Sequence, residues 1–175
     1  MKRIMVMGVS AGAGKSTFAR RLGEKLGINV YHLDRFFWEP GWKQASLEDF
    51  KRRQQDVTVQ DEWILEGNYS ITYDLRTQRA DTIVYLEAPL MVCLYRVVKR
   101  WFLNRGKTRV DMGEDCTEKL DFEFIKFIVT TYHSRKKKMR IRFQEFQMLD
   151  PENRVIVLKD RKTIKSFLNH LPNNK

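Results

Sequence analysis

The segment that most constrains this chain is residues 4–17, which read I-M-V-M-G-V-S-A-G-A-G-K-S-T. An apolar run passes into small residues, then into Gly-Lys-Ser-Thr, and then into an amphipathic pattern. This order predicts a buried strand, a phosphate-binding loop and a helix. Glycines let backbone N–H groups approach phosphate oxygens, and the N-terminus of the helix that follows favours an anion.

Each residue type in this loop has an expected role. We expect Lys15 to reach the β- and γ-phosphates of ATP and Ser16 to offer its hydroxyl to Mg²⁺. The strict pattern is Gly, four residues, then Gly-Lys-Ser/Thr. Counted back from Gly14-Lys15-Ser16, its first glycine falls on Val9, not on Gly8. Either the loop is one residue longer than usual, or Val9 takes that place with an ordinary φ. The residues predicted to bind the nucleotide are Ser10, Ala11, Gly12, Ala13, Gly14, Lys15, Ser16 and Thr17.

The composition fits one globular domain. A length of 175 residues and a hydrophobic content of 42% suit a single domain over residues 1–175. The apolar runs are too short to cross a bilayer. Cys93 and Cys116 lack CxxC or Cys/His spacing, which favours free thiols in a reducing cytosol over a disulfide or a metal site. We therefore expect a cytoplasmic protein with no membrane-spanning segment.

Five short segments rich in Val and Ile are apolar nearly throughout, as in a parallel sheet covered on both faces. They are roughly Arg3–Met7, Asn29–Leu33, Trp63–Glu66, Thr82–Glu87 and Arg154–Leu158. Helical patterns separate them, so the sequence predicts a three-layer α/β sandwich with a five-stranded parallel sheet.

The ends of the intervening helices carry their own signals. Gly27 is a plausible stop for the first helix, and Pro89 is expected to open another. Leu47 and Val98 are predicted to face inward. A separate helical stretch is predicted over Met139–Leu149. The predicted N-terminal caps are Ser46, Thr117 and Asp160.

Two acidic residues follow the second and third predicted strands. Ligands in an open parallel sheet lie beyond the carboxyl ends of the strands, where Asp34 and Glu66 are expected. The predicted metal ligands are thus Ser16, Asp34 and Glu66. Asp34 is either a base that accepts a substrate proton or a cap for the next turn. His32 is interpreted as structural and pointing away.

Aromatic and polar residues beside these acids suggest an acceptor site. The aromatic residues either stack on a substrate or form core beneath a loop, and Arg76 either binds a phosphate or makes a surface ion pair. The predicted substrate contacts are Asp34, Phe37, Trp38, Asn68, Tyr69 and Arg76.

Residues 104–116 read N-R-G-K-T-R-V-D-M-G-E-D-C and are the least regular part of the second half. This composition predicts a flap, a short lid inserted at approximately 104–116. Phosphoryl transfer needs cations around the migrating group, so Arg105 and Arg109 join Lys15 and Asp34 as predicted catalytic residues. Arg96 and Arg100 are one helical turn apart and line either the same site or a solvated face.

The net charge of +11 lies mostly in the second half, where residues 88–175 carry 20 Lys and Arg against 10 Asp and Glu. Residues 133–142, H-S-R-K-K-K-M-R-I-R, are conceivable as a nucleic-acid patch. The exposed side of a helix pair is the simpler interpretation, and we favour it.

The chain resembles the small adenylate-kinase-like phosphate-loop proteins known as topology modulation proteins. The matching segments include K-R-I-M-V-M-G with G-K-S-T, V-Y-H-L-D-R-F-F-W-E-P-G-W, W-I-L-E-G-N-Y-S and R-G-K-T-R-V-D-M. The resemblance implies a nucleoside- or nucleotide-kinase fold with sheet order 2-3-1-4-5, ATP and Mg²⁺ at residues 12–17, and Arg105 and Arg109 as lid arginines. Glu66 departs from it, because relatives often have Asp there.

The sequence thus leads to one hypothesis and one rival. The hypothesis is an enzyme, an ATP-dependent kinase that moves the γ-phosphoryl group to a nucleoside, a nucleotide or another small acceptor. The rival is a nucleic-acid-associated protein, linked to DNA topology, that uses nucleotide only as a switch and has no small-molecule kinase activity.

Overall fold

A parallel sheet of five strands lies at the centre of the computed structural model, which describes residues 1–172. A short 3₁₀ turn, Ser70–Thr72, directly precedes the helix Tyr73–Thr77. Within the described residues, no helix has both the length and the apolar character needed to cross a membrane. The elements in chain order are β1 (Arg3–Gly8), α1 (Lys15–Leu26), β2 (Val30–His32), α2 (Leu33–Phe37), β3 (Trp38–Glu39), β4 (Lys43–Gln44), α3 (Leu47–Thr58), β5 (Trp63–Glu66), α4 (Tyr73–Thr77), β6 (Thr82–Leu86), α5 (Leu90–Asn104), α6 (Phe122–Leu149), β7 (Arg154–Leu158) and α7 (Arg161–His170).

The strand order in the sheet is β2-β5-β1-β6-β7, and every neighbouring pair is parallel. Counted among these five strands alone, the order is 2-3-1-4-5, so the predicted α/β fold with a parallel sheet is confirmed. β3 and β4 pair separately as a short antiparallel ribbon. Because β1 is central, the loop that follows it is flanked by the carboxyl ends of β5 and β6.

Helices cover both faces of the sheet, which explains why its inner strands are apolar throughout. The strand register and the alternation of side chains place Ile64 and Tyr85 on opposite faces. Gly23 of α1 lies beside Ile64, whereas Phe143 of α6 packs against Tyr85 with ring centroids 5.2 Å apart. The core therefore has the three layers that the strand-helix alternation predicts.

Most predicted helix boundaries are confirmed. The Ser46 hydroxyl accepts a hydrogen bond from the Asp49 amide at 3.0 Å and caps α3. Asp160 forms a capping box with Thr163 at the start of α7. Gly27 ends α1 in the left-handed conformation, with φ of 72°.

Three predictions about helices are wrong. Asp121 rather than Thr117 caps α6, accepting a hydrogen bond from the Phe124 amide at 2.7 Å. The stretch predicted as a separate helix over Met139–Leu149 is the second half of α6, which runs without a break from Phe122. Leu47 and Val98 are exposed rather than inward-facing.

The loop after β1 packs closely on α5. Gly12 has φ of 75°, and a Cβ atom added there would overlap the carbonyl group of Cys93. Gly41 has nearly the same φ, 76°, but no atom lies within 4 Å of its added Cβ. Gly12 is therefore required both for its backbone conformation and for close approach to a helix, whereas Gly41 is required only for conformation.

We predict that Gly12→Ala destabilises the fold more than Gly41→Ala does. The backbone conformation alone should cost about 1–2 kcal/mol in both variants. The steric overlap should add about 1–3 kcal/mol in Gly12→Ala. Urea unfolding of the two variants and the wild type measures the difference, and equal midpoints would contradict the close packing.

Candidate active site

The loop between β1 and α1 turns only after Val9. Val9 is buried, and its amide donates a hydrogen bond to the Leu86 carbonyl oxygen at 2.9 Å, which extends the pairing of β1 with β6. In the described part of the chain, non-glycine residues with positive φ are Trp42 and Asp115. Val9 therefore has the ordinary φ that it needs if it takes the first glycine's place.

Gly8 has a purpose that the loop spacing did not suggest. A Cβ atom at Gly8 would lie 3.0 Å from Cγ of Lys15 and 3.1 Å from Cβ of Ala13. The aliphatic stem of Lys15 thus lies across Gly8, and its Nζ lies 3.4 Å from the Ser10 carbonyl oxygen. The absence of a side chain at Gly8 lets the Lys15 ammonium group turn back over the loop.

The loop presents polar groups that suit a phosphate. Gly14 begins α1 with φ of 101°, and no side chain caps the helix. The Ser10 hydroxyl is buried without a hydrogen-bond partner among the described residues. Uncapped N–H groups at a helix N-terminus favour an anion, and a phosphate oxygen would also satisfy a buried hydroxyl. Thr17, also predicted in this set, has an exposed side chain.

Arg96 braces the loop from α5. Its Nη1 donates hydrogen bonds to the carbonyl oxygens of Gly12 and Ala13 at 3.3 and 3.0 Å. Of the two interpretations left open for Arg96, the structure therefore supports the one at the site. Arg100 instead binds the Glu118 carboxylate, with Nε and Oε1 2.7 Å apart.

The two predicted acids lie at the carboxyl edge with different partners. Asp34 is the second residue of α2, and its Oδ1 accepts a hydrogen bond from the Tyr69 hydroxyl at 2.7 Å. Glu66 ends β5 and is buried, and its Oε2 lies 2.7 Å from Nδ1 of His32. The prediction that His32 points away is wrong, because His32 and Glu66 are neighbours in the β2–β5 register.

The surroundings raise the pKa of Asp34 above its ordinary value. The side chain keeps some exposed surface, but desolvation by the surrounding protein is the largest cause, followed by the negative charge of Glu66. The Tyr69 hydrogen bond and the charges of Lys15 and Arg109 act in the opposite direction. A raised pKa suits a carboxylate that must accept a proton near neutral pH.

Asn68 and Arg76, both predicted as substrate contacts, have partners in the protein's own backbone. The Asn68 amide accepts from the Gly8 N–H at 3.0 Å and donates to the Gly8 carbonyl oxygen at 2.7 Å. Arg76 is fully buried, and burial lowers its pKa to about 10. Its guanidinium group donates to the carbonyl oxygens of Thr72, Gly67 and Tyr69.

The predicted aromatic residues form one contact chain. Phe37, Phe50 and Tyr69 contact one another, with ring centroids 4.8 to 5.1 Å apart, and Phe37 also contacts Trp38 at 5.0 Å. Trp38 in turn packs edge-on against Trp42. Phe37 thus supports the ring of Tyr69, and the Tyr69 hydroxyl orients Asp34. These contacts agree with the interpretation that the aromatic residues form core beneath a loop.

Residues 105–121 connect α5 and α6, and their charged groups reach the phosphate loop. Arg109 Nη1 lies 2.9 Å from Asp111 Oδ2, and Arg109 Nε lies 2.6 Å from Glu118 Oε2. Burial favours a raised pKa at Asp111, but Arg109 and a hydrogen bond from Ser16 outweigh it, so this pKa is lowered. Sequence analysis missed Asp111, because no spacing rule links it to Ser16.

Arg105 does not share this position. Its side chain is exposed, and its guanidinium group lies over the Trp101 ring at 5.6 Å from the centroid. The two arginines predicted to act together thus differ in position: Arg109 pairs with Asp111 and Glu118 within electrostatic reach of Asp34, whereas Arg105 lies at the outer end of α5.

Residues 105–121 are held against the β3–β4 ribbon. A Cβ atom at Gly113 would overlap the Trp38 carbonyl oxygen. The Trp42 indole N–H donates to the Thr117 carbonyl oxygen at 3.1 Å, and the Cys116 thiol donates to the Glu39 carbonyl oxygen at 3.4 Å. The segment therefore covers the site in the described arrangement.

The predicted metal ligands do not form a site by themselves. Within residues 1–172, no group of three or more His, Cys, Asp or Glu side chains is placed to hold a metal ion. Ser16 contacts Asp111, Asp34 contacts Tyr69 and Glu66 contacts His32. Oxygen donors are present at the edge, but a Mg²⁺ ion would need further ligands from a bound phosphate or from water.

Solved structures of low sequence identity share this fold. A shikimate kinase from Acinetobacter baumannii in complex with shikimate is 17% identical, with a TM-score of 0.55, and the match covers 97% of this chain and 90% of that one. A shikimate kinase from Bacteroides thetaiotaomicron is 19% identical with a TM-score of 0.53, and 96% and 94% of the two chains are covered. This chain has the P-loop kinase fold.

One relative matches part of the chain in sequence. An uncharacterized protein of Bacillus subtilis (strain 168), YqaC, is 29% identical over 107 residues. The match spans 60% of this chain and 60% of that relative. No protein-family profile matches the chain. The P-loop kinase fold is thus established by the structure, and the substrate is not indicated by these matches.

We predict that Tyr69→Phe raises the pKa of Asp34 further, because it removes a hydrogen bond that stabilises the carboxylate. Glu66→Gln should lower that pKa, because it removes a negative charge. As the pH is lowered, Asp34 would then take up its proton at a higher pH in Tyr69→Phe, and at a lower pH in Glu66→Gln, than in the wild type. Carbon-13 NMR of the Asp34 carboxyl group across pH measures both shifts.

Tyr31→Phe is the matched control. The Tyr31 hydroxyl donates to Gln60 on the exposed surface, so its loss should leave the pKa of Asp34 unchanged. Shifts of the same sign in Tyr69→Phe and Glu66→Gln would contradict the described geometry.

Proposed function

We propose that this chain is an ATP-dependent kinase that transfers the γ-phosphoryl group to a small acceptor. The observation that carries the proposal is the position of Asp34. Its carboxylate lies within electrostatic reach of Lys15, at the edge of the sheet where the phosphate loop begins. A triphosphate on the loop and a proton-accepting carboxylate beside it are what transfer to a hydroxyl requires.

The loop would hold the donor. The backbone amides of residues 10–17 and the Lys15 ammonium group would bind the β- and γ-phosphates, with Arg96 keeping the loop in place from α5. The unpartnered Ser10 hydroxyl and the uncapped start of α1 support this placement. Mg²⁺, held by Ser16 with Asp34, Asp111 or Glu66 nearby, would neutralise charge on the phosphates.

The acceptor would lie between the loop and α2. If it presents a hydroxyl, Asp34 takes its proton, and the raised pKa of Asp34 favours that role. If it presents a phosphate, no base is needed. Arg109, in the segment that covers the site and within electrostatic reach of Asp34, would stabilise the charge of the migrating group and help to exclude water.

The likeness to the shikimate kinases and the resemblance to topology modulation proteins both support a P-loop kinase. A solved structure described as a sugar kinase, from Janibacter sp. HTCC2649, is 16% identical with a TM-score of 0.50 over 97% of this chain and 93% of that one. These proteins differ in acceptor, so the likeness supports the donor side of the reaction and leaves the acceptor class to this chain's own residues.

The rival remains a nucleotide-switched protein that binds nucleic acid. The exposed cations Lys137 and Arg140 on α6 are the observation in its favour. It predicts DNA or RNA affinity that falls steeply with salt. A kinase instead consumes ATP when offered nucleosides, nucleoside monophosphates and small alcohols with no nucleic acid present.

We predict that Lys15→Ala abolishes ATP turnover with this acceptor panel and leaves the melting temperature of the ligand-free protein nearly unchanged. The reason is that Lys15 is half-buried and its ammonium group lies against the Ser10 carbonyl oxygen of its own loop, so its loss removes a phosphate contact rather than core packing. Arg21→Ala, an exposed cation on the same helix, is the control and should keep full activity. Turnover that survives Lys15→Ala would remove the loop from the mechanism.

We predict that Asp34→Asn lowers kcat by roughly 10²–10⁴-fold with a hydroxyl acceptor, as expected for loss of a general base. The KM for ATP should change less, because Lys15 and the loop amides, rather than Asp34, would hold its phosphates. Steady-state kinetics on the best acceptor of the panel measures both constants. An unchanged kcat with a hydroxyl acceptor would exclude Asp34 as the base.

A further inference from the structure

A small recess with a cavity volume of about 30 Å³, partly open to solvent, lies between α6 and the carboxyl ends of β1 and β5. Three of its lining residues come from the edge of the sheet and three are cations of α6. They are Gly8, Asn68, Ser70, Arg135, Lys138 and Arg142. We call this space the α6 recess.

The three cations share one face of α6, because their spacing is three and then four residues. None of them forms an ion pair with a carboxylate in the part of the chain that the structure describes. Lys136, by contrast, lies between them in sequence and pairs with Glu87 at 2.9 Å. Positive charge is therefore concentrated in the recess without an acidic residue to balance it.

Two of the cations are held in place by neutral groups. Arg142 Nη1 donates to the Ser70 hydroxyl at 3.2 Å, and its guanidinium group lies over the Tyr73 ring at 4.1 Å from the centroid. Arg135 lies over the Phe127 ring at 4.7 Å, and burial lowers its pKa. Aromatic contacts fix the direction of a guanidinium group and leave its N–H donors available to an anion.

The recess adjoins the proposed reaction site. Gly8 forms part of its wall, and the stem of Lys15 crosses the same residue. Asn68 binds both backbone polar groups of Gly8, and the next residue, Tyr69, holds Asp34. Asn68 thus connects the wall of the recess to Gly8 and to Tyr69, and in the proposal that follows an acceptor with one end in the recess would present its other end to Asp34 and the phosphate loop.

We propose that the α6 recess binds an anionic group, a phosphate or a carboxylate, of the acceptor. This inference rests on the proposed kinase function and narrows the acceptor to an anionic small molecule. Arg135 and Arg142 offer fixed N–H donors of the kind that bind such groups in pairs, and Lys138 adds a point charge at the mouth. Of the basic run 133–142, Arg135, Lys138 and Arg142 line the recess, whereas Lys137 and Arg140 do not.

The first test uses inorganic phosphate as the probe, at constant ionic strength, by isothermal titration calorimetry. The phosphate loop is a second phosphate site, so the titrations use Lys15→Ala as the background. Lys138→Gln in this background should weaken phosphate binding by about tenfold. Lys137→Gln, the neighbouring exposed cation outside the recess, is the matched control and should leave binding unchanged. Equal binding in the two double variants overturns the proposal.

The second test separates the two sources of the anion. The kinetics compare a nucleoside monophosphate with its nucleoside, and a hydroxy acid with its amide. Lys138→Gln should raise the KM for the charged member of one pair by about tenfold and leave the KM for ATP and for the uncharged member unchanged. The affected pair identifies the anion as phosphate or carboxylate, and no change in either pair overturns the proposal.

The outcomes distinguish this inference from the proposed function. If the wild-type protein consumes no ATP with any acceptor, the kinase proposal fails, and the phosphate titration alone decides the recess. If ATP is consumed normally and Lys138→Gln has no effect on phosphate or acceptor, only the recess proposal fails. A DNA duplex whose binding weakens equally in Lys137→Gln and Lys138→Gln, with no change in phosphate binding, also overturns it in favour of a solvated basic helix face.

Discussion

Two hydrogen bonds between the Asn68 side chain and the backbone of Gly8 hold the active edge together. They join the end of β1 to the chain just after β5. Gly8 in turn lies beneath the stem of Lys15, and Tyr69, the residue after Asn68, positions Asp34. Loss of the Asn68 amide would therefore disturb the loop, the carboxylate and the wall of the α6 recess together, although Asn68 itself carries out no chemistry.

The segment that covers the site is held by charge. Glu118 is buried and forms ion pairs with two arginines, Arg100 from α5 and Arg109 from the segment itself. Arg109 also pairs with Asp111, whose carboxylate contacts Ser16. Exposed ion pairs stabilise little, and in a buried pair the cost of desolvation offsets the attraction, but loss of one partner leaves the other charge buried and unpaired. The entry of a triphosphate would compete with Asp111 for Ser16 and for Arg109, which couples donor binding to the position of the segment.

The sequence was sufficient for the parallel sheet and the phosphate loop, because apolar strands and a glycine-rich turn are local signals. It was insufficient where a side chain binds a distant backbone. Nothing near Asn68 or Arg76 indicates that their partners are the carbonyl and amide groups of a turn. The preference for Asp121 over Thr117 as a cap was readable, since Asp is the stronger N-cap residue. The pairing of His32 with Glu66 follows from strand register, which the order of strands alone does not give.

The account depends on the claim that the edge around Lys15 binds a nucleoside triphosphate. The most direct test is calorimetric titration of the wild type and of Lys15→Ala with a non-hydrolysable ATP analogue in the presence of Mg²⁺. The account predicts saturable binding to the wild type with a Kd at or below about 1 mM, a common range for enzyme substrates, and none to Lys15→Ala. No saturation in the wild type, or equal affinity in the two proteins, would contradict it.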